Sequence, residues 1–232
     1  MHVMNYTELR MKRQQNGWSE QDAAERLGLS QSYLSMLENG KRPLTTRVAR
    51  RAMRALGLPA SVLPPPRVQS HWDSHRVAKQ LAALDYPGFS YMRTHTPKEN
   101  PAVVLLGALS NDQLEARMVE ALPWLLLRYW DLDQAWLLDE AKRRDLQNRL
   151  GFVVALARRM SESSTPPNPA RTETLAELEA KLDKSRLVKQ DTLGKPPQTA
   201  TEREWVMQNR TPEAEHWNVM TDLRPEHFQY VP

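Results

Sequence analysis

Residues 23–43 read AAERLGLSQSYLSMLENGKRP, and the reading of this stretch decides how the first part of the chain folds. Ala23, Ala24 and Leu27 recur at the spacing of one helix face, and upstream of them Ser19 is a good N-cap with Asp22 where a capping-box partner stands. Gly28 ends that helix, because a residue without Cβ enters the left-handed region at little cost. Ser30 then caps another short helix, whose apolar spine is Tyr33 or Leu34 followed by Leu37. Asn39 and Gly40 close it, and Lys41, Arg42 and Pro43 make a basic loop.

Working outward, residues 6–16 predict a preceding helix with Leu9 and Met11 among its inward positions and Asn16-Gly17 as its C-cap. Thr45 or Thr46 can cap a further helix reaching about Leu56, with Arg47, Arg50, Arg51 and Arg54 spaced to share much of one face. Two short capped helices joined through Gly28 and Leu29 have the geometry of a helix-turn-helix. Residues 59–67, PASVLPPPR, predict an extended, semi-rigid linker. The expected organisation is a helix-turn-helix domain over 1–58, a Pro-rich linker over 59–70, and a helical dimerisation or partner-binding domain over 71–232.

The second part has helical spacing and no sustained alternation, so the fold class expected is all-α: a five-helix N-terminal domain followed by a larger helical one. Helices are expected over 74–84, 102–109, 111–129 with a kink at Pro123, 133–160 and 172–190. The segment EREWVMQNRTPEAEHWNVM, 202–220, predicts a helix pair. Trp124, Trp130 and Trp136 are expected chiefly as core, with some available to a dimer or partner contact. The tail residues Trp205, Arg210, His216 and Trp217 suit either packing on their own domain or anchoring a partner.

Composition narrows the function classes. The 232 residues contain no cysteine, which removes disulfides and thiolate zinc sites, and 17 prolines imply substantial loop content. No apolar stretch approaches the length of a membrane span and the first residues lack the core of a signal peptide, so a cytoplasmic protein with no membrane partner is expected. The net charge of +4 is unevenly held: residues 1–58 carry ten Lys and Arg against five Asp and Glu, leaving the rest of the chain at about -1. A basic first domain suits a phosphate backbone. His71 and His75 are four apart, but the intervening glutamate of a zinc-protease helix and a third ligand are missing, and there is no glycine-rich phosphate loop or nucleophile signature. No metal, cofactor or catalytic role is expected.

The side chains placed to meet DNA follow from the short helix at 31–38. Gln31 can bond an adenine edge in bidentate fashion, Ser32 and Ser35 can serve bases or phosphates, and Tyr33 either packs beneath the helix or touches a thymine methyl. Asn39, Lys41 and Arg42 follow where a loop can bond phosphates and set register. Residues 9–58, and above all the quoted stretch, resemble the Cro/repressor-type (xenobiotic-response-element) family of phage and bacterial regulators. The resemblance implies that Ala24, Gly28, Leu34 and Leu37 fill packing positions, and that Arg13 pairs with Glu38 in a partly buried salt bridge. One departure is Glu20, where the family often has a glutamine that contacts phosphate; a carboxylate there repels it.

A sequence-specific repressor of a double-stranded DNA operator is therefore expected, acting as a homodimer because one small reader buries little surface on DNA. A plain N-terminal reader followed by its own helical domain, with the phrasing LLGALSNDQLEARMVEALPWLLLRYW at 105–130, is similar to bacterial autorepressors encoded beside a toxin, including those paired with nucleotidyltransferase-like toxins. That similarity implies an antitoxin with a cognate toxin protein as partner. Two alternatives stay open: a stand-alone repressor released by a small molecule or protein signal, whose second domain would hold an apolar pocket with a few polar groups, and an interaction scaffold with a weak DNA-binding domain.

Overall fold

The computed structural model describes residues 4–66, 71–92 and 95–232, and the chain divides into two compact units, Met1–Val68 and Gln69–Pro232. In the first unit, local capping sets every helix boundary after the first. Helix α1 (Met4–Gln15) is followed by α2 (Glu20–Leu27), whose N-cap Ser19 and Asp22 form a reciprocal capping box. The Ser19 hydroxyl and backbone N–H both donate to the Asp22 carboxylate and hold it below its usual range. Gly28 stops α2 at φ 62°, and a Cβ there would also meet Arg51 Nη1 at 2.7 Å. Helix α3 (Gln31–Glu38) starts on Ser30, which accepts from the Tyr33 N–H, and α4 (Thr46–Leu56) starts on Thr45, which accepts from the Val48 N–H.

The core of this unit is aliphatic. Leu9, Ala23, Ala24, Leu27, Leu34 and Leu37 are all buried, and α3 packs on α1 and α2 while α4 packs on the same two helices. A fifth element exists only as a single 3-10 turn, Ala60–Val62, within the stretch expected to be linker. Leu58, Ala60, Val62 and Leu63 are buried, so residues up to 63 are folded and the apolar members of PASVLPPPR outweigh its prolines. Pro64, Pro65 and Pro66 are outside any helix, and the rest of the expected linker, 67–70, lies outside the described residues.

The second unit is built around one fully buried helix and one long, mostly buried one. Helix α5 (Ser74–Ala83) is capped by Asp73, and a 3-10 turn at Pro87–Phe89 leads to α6 (Pro101–Leu109), of which every residue is buried. Then follow α7 (Ala116–Arg128), with Pro123 inside it, α8 (Gln134–Arg143), α9 (Gln147–Glu162) and α10 (Pro169–Asp183). Helix α9 is the axis of the unit, packed on α6, α7, α8 and α10. Close approach is bought by glycine at two points: a Cβ on Gly107 would lie 2.2 Å from the Trp72 ring, and one on Gly151 2.3 Å from the Trp217 ring.

Three expected helices are shorter than their apolar periodicity suggests. The helix expected from 111 begins at Ala116, because the Asn111 side chain accepts from the Gln113 N–H and its amide donates to Ser74 Oγ, holding a turn. The single helix expected over 133–160 is two, divided at Asp145, which takes a left-handed conformation with φ 54°. Helix α10 ends at Asp183; beyond it the Asn148 amide donates to the Leu187 and Lys189 carbonyls and fixes the chain in a non-helical path. That path leads into β1 (Asp191–Thr192), which pairs in parallel with β2 (Val219–Met220), the one sheet among the described residues. Between them lie α11 (Ala200–Gln208) and α12 (Pro212–His216), the helix pair expected in the tail. Among the described residues no helix is long and apolar enough to cross a membrane.

Candidate nucleic-acid interface

Helix α3 is anchored on one side and open on the other. Leu34, Leu37 and Glu38 are buried, whereas Gln31 and Ser32 in its first turn are exposed and Tyr33, Ser35 and Met36 are half-buried. The anchor combines the buried Leu34 and Leu37 with an ion pair. Arg13 Nε donates to Glu38 Oε1 at 2.7 Å and Arg13 Nη2 to Glu38 Oε2 at 2.8 Å, a bidentate pair joining α1 to α3. The Glu38 side chain is wholly buried and holds the Arg13 guanidinium above its usual range. Arg13 Nη1 also donates to the Trp18 carbonyl, tying the turn before α2 to the same pair.

Glu20 stands at the first position of α2 with its carboxylate 3.9 Å from Arg13 Nη2. The departure from the family pattern thus has an internal partner. The side chain remains partly exposed, and it places negative charge where the Cro/repressor-type resemblance would place a phosphate contact.

The seven residues singled out from the sequence occupy α3 and the loop after it, but they differ in how free they are. Gln31 is exposed. Ser32 is exposed with its Oγ 3.2 Å from the Ser30 Oγ. Asn39 is already engaged: its amide donates to the Ser35 carbonyl at 2.8 Å and its oxygen accepts from Arg10 Nη2 at 3.2 Å, so it closes α3 as a structural cap. Gly40 follows at φ 68° with the Lys41 N–H bonded to the Met36 carbonyl, a Schellman-type ending that turns Lys41 and Arg42 into solvent. Among the described residues neither cation has an ion pair or a side-chain hydrogen bond.

The arginines of α4 divide. Arg47, Arg50 and Arg54 are exposed, whereas Arg51 Nη1 donates to the Leu27 carbonyl at 2.9 Å and caps the C-terminal end of α2. Sequence spacing placed all four on one face and missed this role, as it missed Arg10, because each pairing spans more than twenty residues. Arg26 lies over the Trp18 ring at 4.4 Å. His71 and His75 do not share a helix, since α5 begins at Ser74, after the first of them.

The second unit carries a separate open groove of about 970 Å³. Its floor includes Leu114, Val119, Leu193, Met220 and Leu223, and Trp205 of α11 stands at its edge with half its surface exposed. The tail aromatics therefore split: Trp217 is buried on Gly151, while Trp205 faces solvent. Trp124 is buried as well, and Trp130 and Trp136 are half-buried.

Residues 9–63 match the helix-turn-helix family model, about a quarter of the chain. No curated protein and no solved structure matches. The chain therefore contains an N-terminal helix-turn-helix domain of the kind that binds DNA in transcription regulation, joined to a further helical unit.

Proposed function

We propose that this protein is a sequence-specific transcriptional repressor that sets α3 into the major groove of a duplex operator as a homodimer, and that its second unit receives the signal that releases it. The observation that carries the first part is the anchoring of α3: the buried Arg13–Glu38 pair and Leu34 and Leu37 hold it while Gln31 and Ser32 stand exposed in its first turn. Gln31 is the reader of an adenine edge, Ser32 a second base or phosphate contact, and Lys41 and Arg42 the phosphate clamps. Tyr33 and Ser35, half-buried, are limited to grazing contacts such as a thymine methyl, and Asn39 acts through its cap. A homodimer supplies the two readers that a palindromic operator requires, about one helical turn apart.

The test is selection of binding sites from random duplex DNA by the full chain, followed by affinity measurement at fixed salt. A palindromic site with half-sites about 10 bp apart is expected, and Gln31→Ala should weaken binding to it by about 1–3 kcal/mol while leaving scrambled duplex unchanged. Absence of any enriched site would leave only a non-specific DNA-binding scaffold.

A second reading is favoured by exposed Trp205: that the second unit neutralises the product of a neighbouring gene and the protein represses its own operon as an antitoxin. Co-expression with each neighbouring gene product should then rescue growth and give a complex that Trp205→Ala weakens. Growth rescue by neither neighbour refutes this reading and leaves the repressor standing.

A further inference from the structure

The groove in the second unit is lined by apolar and charged side chains from α7, α11, the loop before α11 and the tail. Its wall is preformed: Gly194, at φ 76°, lies so close to α7 that an added Cβ would meet the Leu114 carbonyl at 2.9 Å and Val119 Cγ2 at 3.0 Å. The loop carrying Leu193 is thereby held against the start of α7. The volume of about 970 Å³ is that of a site for a drug-sized ligand.

The charged groups around this apolar floor are mainly acidic, beside the neutral Gln113, Gln198, Thr201 and Thr221. Among the described residues Glu120, Glu202 and Asp222 line the groove against one cation, Lys195. Glu202 is spent on the cap of α11, accepting from the Gln198 and Thr199 N–H groups at 2.7 and 3.2 Å. Among the described residues Glu120 and Asp222 have neither an ion pair nor a hydrogen bond. Arg117, one turn before Glu120, is turned to Tyr91, whose hydroxyl it bonds at 3.3 Å and whose ring it overlies. Arg224, two residues beyond Asp222, donates to the Asn209 carbonyl.

Trp205 completes the pattern. Helix α11 is well capped yet buries no residue fully, and the Trp205 indole is 53% exposed at the groove edge. An accessible indole and unpaired carboxylates lining one groove with aliphatic side chains complement a molecule with an apolar body and a positive charge: the body meets the aliphatic lining, and the charge meets the ring or the carboxylates. We propose that this groove binds an apolar organic cation, and that this ligand is the releasing signal. The effector role rests on the repressor reading above; the site does not.

The experiment is calorimetric titration of the full chain, without DNA, with tetraphenylphosphonium and with tetraphenylborate, ions of nearly equal shape and opposite charge. The cation should bind once per chain and about tenfold more tightly than the anion, since two unpaired carboxylates and an indole each contribute modestly at a solvent-exposed site. Glu120→Gln with Asp222→Asn should abolish that preference, Trp205→Ala should weaken the cation several-fold, and Trp205→Phe should recover most of the loss. Equal affinity for the two ions, or cation binding that none of these variants changes, overturns the site. Failure of the cation with binding of a lysine-rich amphipathic peptide overturns it in favour of a protein segment. Operator affinity read on the same samples separates the two levels: bound cation with unchanged operator affinity overturns the effector role, and cation binding by a protein that recognises no operator overturns the repressor reading while leaving the groove intact.

Discussion

Replacing Glu38 by Gln tests whether the buried ion pair holds the DNA-reading helix in place. The substitution keeps side-chain volume and one acceptor oxygen but removes the charge facing Arg13, whose side chain is 90% buried and makes both of its short carboxylate bonds to this residue. Removing one member of a buried pair costs about 3–5 kcal/mol, and because Glu20 still stands 3.9 Å from Arg13 and an isosteric amide keeps one acceptor, the loss here belongs at the lower end, about 3 kcal/mol. The weaker bond from Arg10 adds little, as that side chain is 43% exposed. Small domains hold only a few kcal/mol in reserve, so such a loss populates open forms of the first unit. Hydrogen–deuterium exchange of the full chain reads this unit separately from the second: amides of α1 and α3 should exchange about 100-fold faster in Glu38→Gln, with α9 unchanged. Operator affinity should fall with the fraction of unit held open. The double variant Arg13→Met with Glu38→Leu, which replaces the pair by apolar packing, should restore most of the protection. Exchange accelerated by less than about threefold, or a double variant as unprotected as the single, would refute the anchoring role.

Two further outcomes follow from the geometry. Lys41→Ala and Arg42→Ala should each weaken binding to operator and to scrambled duplex alike and reduce the slope of log affinity against log salt by about 1; a sequence-dependent loss would instead make them base readers. In alkali the second unit should lose stability. Burial pushes both the Tyr86 and Tyr129 hydroxyls up to about 12, so between about pH 10 and 12 the unfolded chain releases protons that the folded chain keeps, and stability falls as pH rises. Denaturant midpoints for Tyr86→Phe should decline less steeply over that window than those of the parent; parallel slopes would show that this hydroxyl ionises without unfolding.

What was legible in the sequence divides along the range of the interactions. Ser19, Asp22, Gly28, Ser30 and Thr45 act within a few residues of themselves, so they mark helix ends wherever they occur, and the first unit follows from them almost element by element. Boundaries in the second unit were legible only where apolar periodicity began or stopped. Asn111 and Asp145 interrupt helices without glycine or proline, Asn111 by a side-chain hydrogen bond to the backbone and Asp145 by a left-handed turn, and nothing in their neighbours' pattern announces either. The stretch 59–63 misled in the opposite sense, since proline content masked a group of apolar residues that the fold buries.

The same distinction governs the site. The face of α3 is partly a matter of 3.6-residue spacing: burial of Leu34 and Leu37 leaves Ser32 outward, whereas Gln31, three residues before Leu34, lies nearer their side and is exposed as the first residue of the helix. The roles of the arginines are not local. Arg50 and Arg51 are neighbours on one basic helix, yet only Arg51 reaches the Leu27 carbonyl that α2 leaves unsatisfied at its end, and that assignment requires knowing that α4 packs on α2. The groove stands furthest from the sequence. It joins the start of α7 to a loop eighty residues later and to the tail beyond it, and its acidic character appears only once Arg117, Arg224 and Glu202 are seen to be occupied elsewhere. A function that depends on which charges remain unpaired is a property of the folded chain, whereas one that depends on which face of a short capped helix is apolar can be read before it folds.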